Sequence, residues 1–250
     1  MKFILLLAAA LLTSGAFSTP FDDAVEKAEA GDVMDQYFLG LTYALGKGVP
    51  KNDTEAVKWY RKAASQGYAM AQWSLGMMYA LGKGVPKNDT EAVNWLRKAA
   101  DQGHADAQYN LGLLYANGKG VQVDIALAAR WLRKSADQGY AGAQYNLGLL
   151  YAKGKGVQVD NALAARWLRK SAEQGYAKAQ FALGLQYYNG EGIPENNIRA
   201  YVWWSMAKTQ GHAKAANNID ILKTEMTPQQ IADGQALAAK CYESNYKDCD

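Results

Sequence analysis

Residues 105–115 read Ala105-Asp106-Ala107-Gln108-Tyr109-Asn110-Leu111-Gly112-Leu113-Leu114-Tyr115, and the frame returns along the chain at a fixed interval. Gly40, Gly76, Gly112, Gly148 and Gly184 lie 36 residues apart, and so do Trp59, Trp95, Trp131, Trp167 and Trp203. Two residue types locked to one spacing do not arise from composition; they mark a repeat architecture. A unit of this length holds two short helices and two turns. It cannot bury its apolar face alone, so it must stack on its own copies.

The unit from Ala69 to His104 shows how the letters become helices. Gln72, Leu75, Gly76 and Tyr79 follow i, i+3, i+4, i+7, one stripe of a first helix, A. Gly76 costs helix stability relative to alanine, which predicts close approach of a neighbouring helix at that point. Gly82-Lys83-Gly84-Val85-Pro86 stops the helix and turns the chain. Asn88 then opens helix B, and the equivalent slot holds Asn52, Asp124, Asp160 and Asn196, all strong N-cap residues. Glu55 and Glu91 suggest a capping box in the first two units. Ala92, Trp95, Leu96 and Ala99 form the stripe of helix B, and Gly103 ends it.

These motifs, the 105–115 frame, Gly-Lys-Gly-Val, and Ala-x-x-Trp-x-x-Lys-Ala-Ala at 92–100, resemble the Sel1-like repeat family, relatives of the tetratricopeptide repeats. The resemblance runs from about Asp32 to Lys214. It implies an all-α, right-handed α-solenoid of antiparallel helix pairs, whose members commonly act as adaptors for other proteins. The expected organisation is a signal peptide over 1–18, a half-repeat capping helix over 19–31, five repeats over 32–211, and a C-terminal half-repeat and capping helix over 212–250. Asp23 in the Trp slot, and Asp220 and Lys223 in the Gly and Tyr slots, give the ends polar outer faces. Thr227-Pro228 opens the last helix.

Lys2, the apolar run from Phe3 to Leu12 and the small residues ending at Ser18 read as a cleaved export signal, with the periplasm as the expected destination and the extracellular space as the alternative. No later stretch is long enough to span a bilayer. The formal net charge is +3 and falls to +2 when Lys2 is removed, too small to demand a polyanion. Nucleic acid is not an expected partner. The two cysteines, Cys241 and Cys249, are expected to pair in an oxidising compartment and to staple the last helix, with roughly 2–3 kcal/mol from so small a loop. A metal or redox pair is the rival, but no ligand cluster surrounds them.

Repeats supply an internal comparison: shared positions build the fold and divergent ones are free to bind. The divergent stripe of the A helices, expected on the concave side, gives a candidate binding face of Met34, Phe38, Thr42, Met70, Ser74, Met78, Asn110, Leu114, Asn146, Leu150 and Gln186. It is Met-rich at one end, which suits a peptide or a partner helix, and polar at the other. The competing reading packs its apolar positions against the N-terminal helix or a second copy. A basic stripe, Lys58, Arg61 and Lys62 with their counterparts through Lys170, is read as a solvated face of the B helices, with an anionic partner as its functional alternative.

Catalysis is not expected, nor any cofactor or metal. His104 and His212 stand where other units have Tyr68, Tyr140 and Tyr176, and read as structural substitutes. Gly-Lys-Gly lacks the spacing of a phosphate loop. Ser205-Met206-Ala207-Lys208 matches the Ser-x-x-Lys of penicillin-recognising enzymes, and some cysteine-rich relatives act weakly on β-lactams. Those relatives carry a cysteine pair in every repeat, and no partner motif follows here. The expected function is a non-enzymatic protein- or peptide-binding scaffold. The alternatives are a weak β-lactam-binding protein and a secreted factor for host proteins or envelope glycans.

Overall fold

A computed structural model describes residues 20–249, and among them every regular element is a helix. The segment read as an export signal lies outside the described residues. The A helices are α2 (Val33–Leu45), α4 (Ala69–Leu81), α6 (Ala105–Asn117), α8 (Ala141–Lys153) and α10 (Ala177–Asn189). The B helices are α3 (Asp53–Ser65), α5 (Asp89–Asp101), α7 (Ile125–Asp137), α9 (Asn161–Ala172) and α11 (Asn197–Thr209). Before them stands α1 (Pro20–Glu29), and after them α12 (Ala213–Glu225) and α13 (Pro228–Glu243). From α1 to α12 each helix packs on the next, A on B within a unit and B on the following A, which makes an all-α solenoid of antiparallel pairs.

The glycine column marks the tightest contact within a unit. A Cβ placed on Gly112 would lie 2.9 Å from Leu132 Cγ and 3.2 Å from the Ala128 carbonyl oxygen, so α6 approaches α7 as closely as backbone allows. Between units the turn glycine plays the same part. Gly120 has φ +70°, and a Cβ there would fall 2.2 Å from the Asp89 carbonyl oxygen, at the start of the preceding B helix.

All five cap residues accept hydrogen bonds from first-turn amides, for example Asp124 Oδ1 from the Leu127 amide at 2.8 Å. The expected capping boxes of Glu55 and Glu91 do not form. The amide each glutamate would reach is already bonded: Asn52 N–H donates to the Tyr43 carbonyl at 2.9 Å, and Asn88 N–H to that of Tyr79 at 3.0 Å. Glu55 pairs with Lys58 instead, at 3.2 Å.

Two ladders join the units. In the first, buried Gln36, Gln72, Gln108, Gln144 and Gln180 each donate an amide hydrogen to a carbonyl in the last turn of the preceding B helix, at 3.0–3.2 Å. Each accepts at Oε1 from the glutamine 30 residues on, Gln66, Gln102, Gln138, Gln174 or Gln210, at 2.6–2.8 Å. In the second, an A-helix aromatic meets the residue that opens the next A helix. Ring centroids lie 5.2 Å apart for Tyr37–Tyr68, 5.4 Å for Trp73–His104, 4.8 Å for Tyr109–Tyr140, 5.4 Å for Tyr145–Tyr176 and 4.2 Å for Phe181–His212. His104 and His212 therefore take the tyrosines' stacking role. Burial pushes both imidazoles below their ordinary pKa, with nearby Asp106 partly opposing this at His104 and Lys214 and Lys178 adding to it at His212.

The C-terminal end departs from the repeat. Helix α13 folds back against α11, where a Cβ on Gly234 would meet the Tyr201 ring at 2.9 Å. A capping box of Thr227 and Gln230 starts it. Cys241 and Cys249, both buried, form a disulfide, and the tail between them lays Tyr246 against Gly175, in the turn before α10. The face of α11 that α13 covers is apolar where other B helices are basic: Val202 and Met206 stand in the slots of Lys58 and Lys62.

Three outcomes are expected. Trp131→Ala lowers stability by roughly 3–5 kcal/mol, as truncation of a buried aromatic does; a denaturant midpoint unchanged from wild type would contradict its core placement. Gln108→Ala removes one of two bonds at the Ala100 carbonyl and one acceptor of Gln138, and costs about 0.5–1.5 kcal/mol, measured in the same urea titration. The unfolded chain binds histidine protons from about pH 6.5 downward and the folded chain only at lower pH. Stability contributed by neutral His104 is therefore complete above that value and lost as pH falls below it. His104→Tyr flattens the melting temperature between pH 7 and 5, and an unaltered slope would count against the stacking account.

Candidate functional site: the face of the A helices

The divergent stripe separates into exposed, half-buried and buried positions. On α2 and α4, Met34, Phe38, Leu45, Met70 and Leu81 are between 42% and 57% exposed, unusually high for large apolar side chains gathered on two neighbouring helices. Thr42, Ser74, Asn110, Leu114, Asn146 and Leu150 are half-buried on the same face. Met78 and Gln186 are not part of an accessible surface: they are 8% and 4% exposed. Each follows a core leucine, Leu75 or Leu183, by one helical turn, so its side chain lies over the core flank rather than outward. Met78 joins the cluster around Tyr37, Tyr60 and Leu75.

Clefts open between successive A helices. One of about 190 Å³ between α4 and α6 is lined by Met77, Ala80, Asn110, Leu113 and Leu114. The next, about 410 Å³ between α6 and α8, takes in Leu113, Ala116, Asn146, Leu149 and Leu150. A third of about 210 Å³ between α10 and α12 is lined by Leu185, Tyr188, Trp204, Asn218 and Ile221. Asn110 and Asn146, which fill one slot in successive units, thus sit in two separate clefts. Asn146 Nδ2 stands 3.5 Å from Tyr109 Oη, a long contact, and burial raises the Tyr109 pKa, keeping that hydroxyl protonated.

The column Leu41, Met77, Leu113, Leu149, Leu185 and Ile221 is a contribution the sequence reading passed over. It is apolar in every unit, so it was grouped with the fold, yet from Met77 onward these residues line the clefts wherever one opens beside them. The column lies one position past the glycine stripe, and Leu41, Met77 and Leu185 also pack against the core, so their apolar character in the sequence reads as core flank.

The basic stripe is a solvated face, with Lys58, Arg61, Lys62, Arg97, Lys98, Arg130 and Arg166 all exposed, and many of its cations also meet an aromatic ring. Arg61 donates to Tyr79 Oη at 2.9 Å, and Arg97, Arg133 and Arg169 repeat the bond to Tyr115, Tyr151 and Tyr187 in the next unit. Lys62, Lys98, Lys134 and Lys170 hold their ammonium groups 3.9–4.6 Å from the ring centroids of Trp59, Trp95, Trp131 and Trp167. These cations fasten the packing.

Ser205, in the slot of exposed Arg61 and Arg97, does not lie on an open helix face. It follows Tyr201 by one turn, on the flank that α13 covers, and is half-buried. Among the described residues no group of three or more His, Cys, Asp or Glu is placed to hold a metal ion, and no helix is long and apolar enough to cross a membrane.

The Sel1 repeat family model matches residues 33–68, 69–104, 105–140, 141–176 and 177–212, one complete unit each. A Sel1 repeat protein from Oxalobacter formigenes has a similar structure, with TM-score 0.73 and 36% identity over 81% of this chain and 59% of its own. This chain thus spans about three-fifths of that protein's length. A putative Sel1 repeat protein from Klebsiella pneumoniae is similar with TM-score 0.50 and 25% identity, over 82% of this chain and 100% of its own. No curated protein matches. With five consecutive family matches in register with five helix pairs, the chain belongs to the Sel1 repeat family.

Proposed function

We propose that this protein is a non-enzymatic scaffold, exported to the bacterial periplasm or beyond, that holds a protein or peptide along the concave face formed by its A helices. One observation carries the reading: Met34, Phe38, Leu45, Met70 and Leu81 are exposed on α2 and α4, and apolar clefts open between α4, α6 and α8. A solenoid that leaves five large apolar side chains in water on two neighbouring helices has a surface suited to a partner. Sel1 repeats serve generally as protein-interaction scaffolds, which supports the same class of function. The export half of the proposal rests on Lys2 and the apolar run that follows it. Half-buried Ser205 offers no support for β-lactam chemistry, and the B-helix cations, though exposed, lie beside no cleft that would hold a glycan or other anionic ligand.

The test is panning of a displayed peptide library on the purified chain. Enriched sequences are expected to share spaced Leu, Met or Phe residues. Replacing Met34, Phe38 and Met70 together by Asp should weaken the selected peptides at least tenfold while the helical circular dichroism is retained. Met78 is left untouched because it is buried. Equal affinity for both proteins would reject the A-helix face as the binding surface, and absence of any enrichment would reject the peptide-binding reading.

A further inference from the structure

We infer that the partner segment is acidic: an amphipathic stretch of a protein whose apolar side chains seat in the clefts between A helices and whose carboxylates meet a row of lysines along the rim. This rests on the binding reading above and adds the sign of the partner's charge. Lys47, Lys83, Lys119 and Lys155 occupy one position in the turn that leaves each of the first four A helices, and all four are exposed. Lys119 lines the cleft between α4 and α6. Lys153 and Lys155 line the cleft between α6 and α8. A turn lysine elsewhere is a solvated charge. Lys119, Lys153 and Lys155 stand at the lips of sockets walled by leucine and methionine, where a low-dielectric boundary strengthens their pull on an anion.

The same position reverses sign in the fifth unit. Glu191 replaces the lysine, and Glu225, at the end of α12, accepts a hydrogen bond from Tyr188 Oη at 3.0 Å beside the third cleft. An acidic segment is therefore drawn to the run from α2 to α8 and disfavoured beyond α10, which fixes where it lies along the solenoid. Leu113 and Asn117 line both of the first two clefts, so α6 forms a ridge between two sockets rather than the floor of one furrow. A single acyl chain needs a continuous furrow. A helix suits the ridge: packed helices lie about 8–10 Å apart, and side chains seven residues apart on a ligand helix are separated by about 10.5 Å. Leucines at i and i+7, with glutamates or aspartates between them on the lysine side, match the two sockets.

Two synthetic helical peptides with identical Leu spacing, one carrying Glu and the other Lys at the polar positions, decide the matter by fluorescence anisotropy against the purified chain. The Glu peptide is expected to bind at least tenfold more tightly, with the difference shrinking as salt is added. Lys119→Glu/Lys155→Glu should reverse the preference in favour of the Lys peptide. Arg130→Glu/Arg166→Glu makes the same change in net charge on the B helices and should leave the preference in place. Equal binding of both peptides, unmoved by the lysine variants, would overturn the charge assignment while leaving the apolar face standing. If neither peptide binds although panned peptides of other composition do, the acidic ligand is wrong. Capture of phosphatidylglycerol vesicles that depends on Lys119 and Lys155, with no peptide bound, would assign the row to a membrane surface and also overturn the proposal.

Discussion

The last turn of every B helix closes on a glycine whose amide bonds one carbonyl, as Gly103 N–H bonds that of Ala100 at 3.0 Å, and leaves that carbonyl a second lone pair facing the next unit. A glutamine supplied by the next A helix takes it in every unit. Its amide nitrogen serves the carbonyl and its oxygen receives a second glutamine from the following B helix, so one side chain ties three helices together. The remaining architecture depends on this bridge. It fixes the height at which successive pairs meet, and with it the glycine approach within a unit and the aromatic stack between units.

The binding face follows from the same constraint. The core consumes the side of each A helix that carries glutamine, leucine and glycine, and neighbouring pairs are held at a set spacing. What is left between successive A helices is a cleft whose walls are the next residues around the helix. Their apolar character serves no bridge, stack or cap. The exposed methionines and phenylalanine of α2 and α4 lie at one end of this row, and the acidic rim of Glu191 and Glu225 at the other, so the face has a direction along the solenoid.

Much of this was legible in the residues. Asn88 and its counterparts announce their helices, because a short polar side chain before an apolar stripe has few other uses, and Gly112 announces a close approach. The partners of Gln72 and its equivalents were hidden because they are backbone carbonyls and a glutamine 30 residues away that reads as a turn residue. The ring contacts of the exposed basic stripe were hidden for a related reason: Arg97 and Tyr115 are 18 residues apart and meet only after the next unit has stacked. The seat of α13 could have been seen, since Val202 and Met206 break the basic pattern in a helix that otherwise keeps the register. Met78 and Gln186 were placed outward by counting slots, whereas a long flexible side chain one turn from a core leucine bends inward.

The bridge spans fixed separations, eight residues back and 30 forward, so insertion of anything but a whole unit would strand its donors. Whole units, by contrast, can be copied without new design, since a duplicate presents to each neighbour the contacts already in use. The third and fourth units carry the trace of such a copying event. Residues 105–140 and 141–176 differ only at Asp106/Gly142, Asn117/Lys153, Ile125/Asn161 and Asp137/Glu173, and none of these residues belongs to the glutamine bridge or the aromatic stack. Lineages carrying this fold can therefore change the length of the binding face in steps of one cleft by unequal exchange within a single gene, while both capped ends stay as they are.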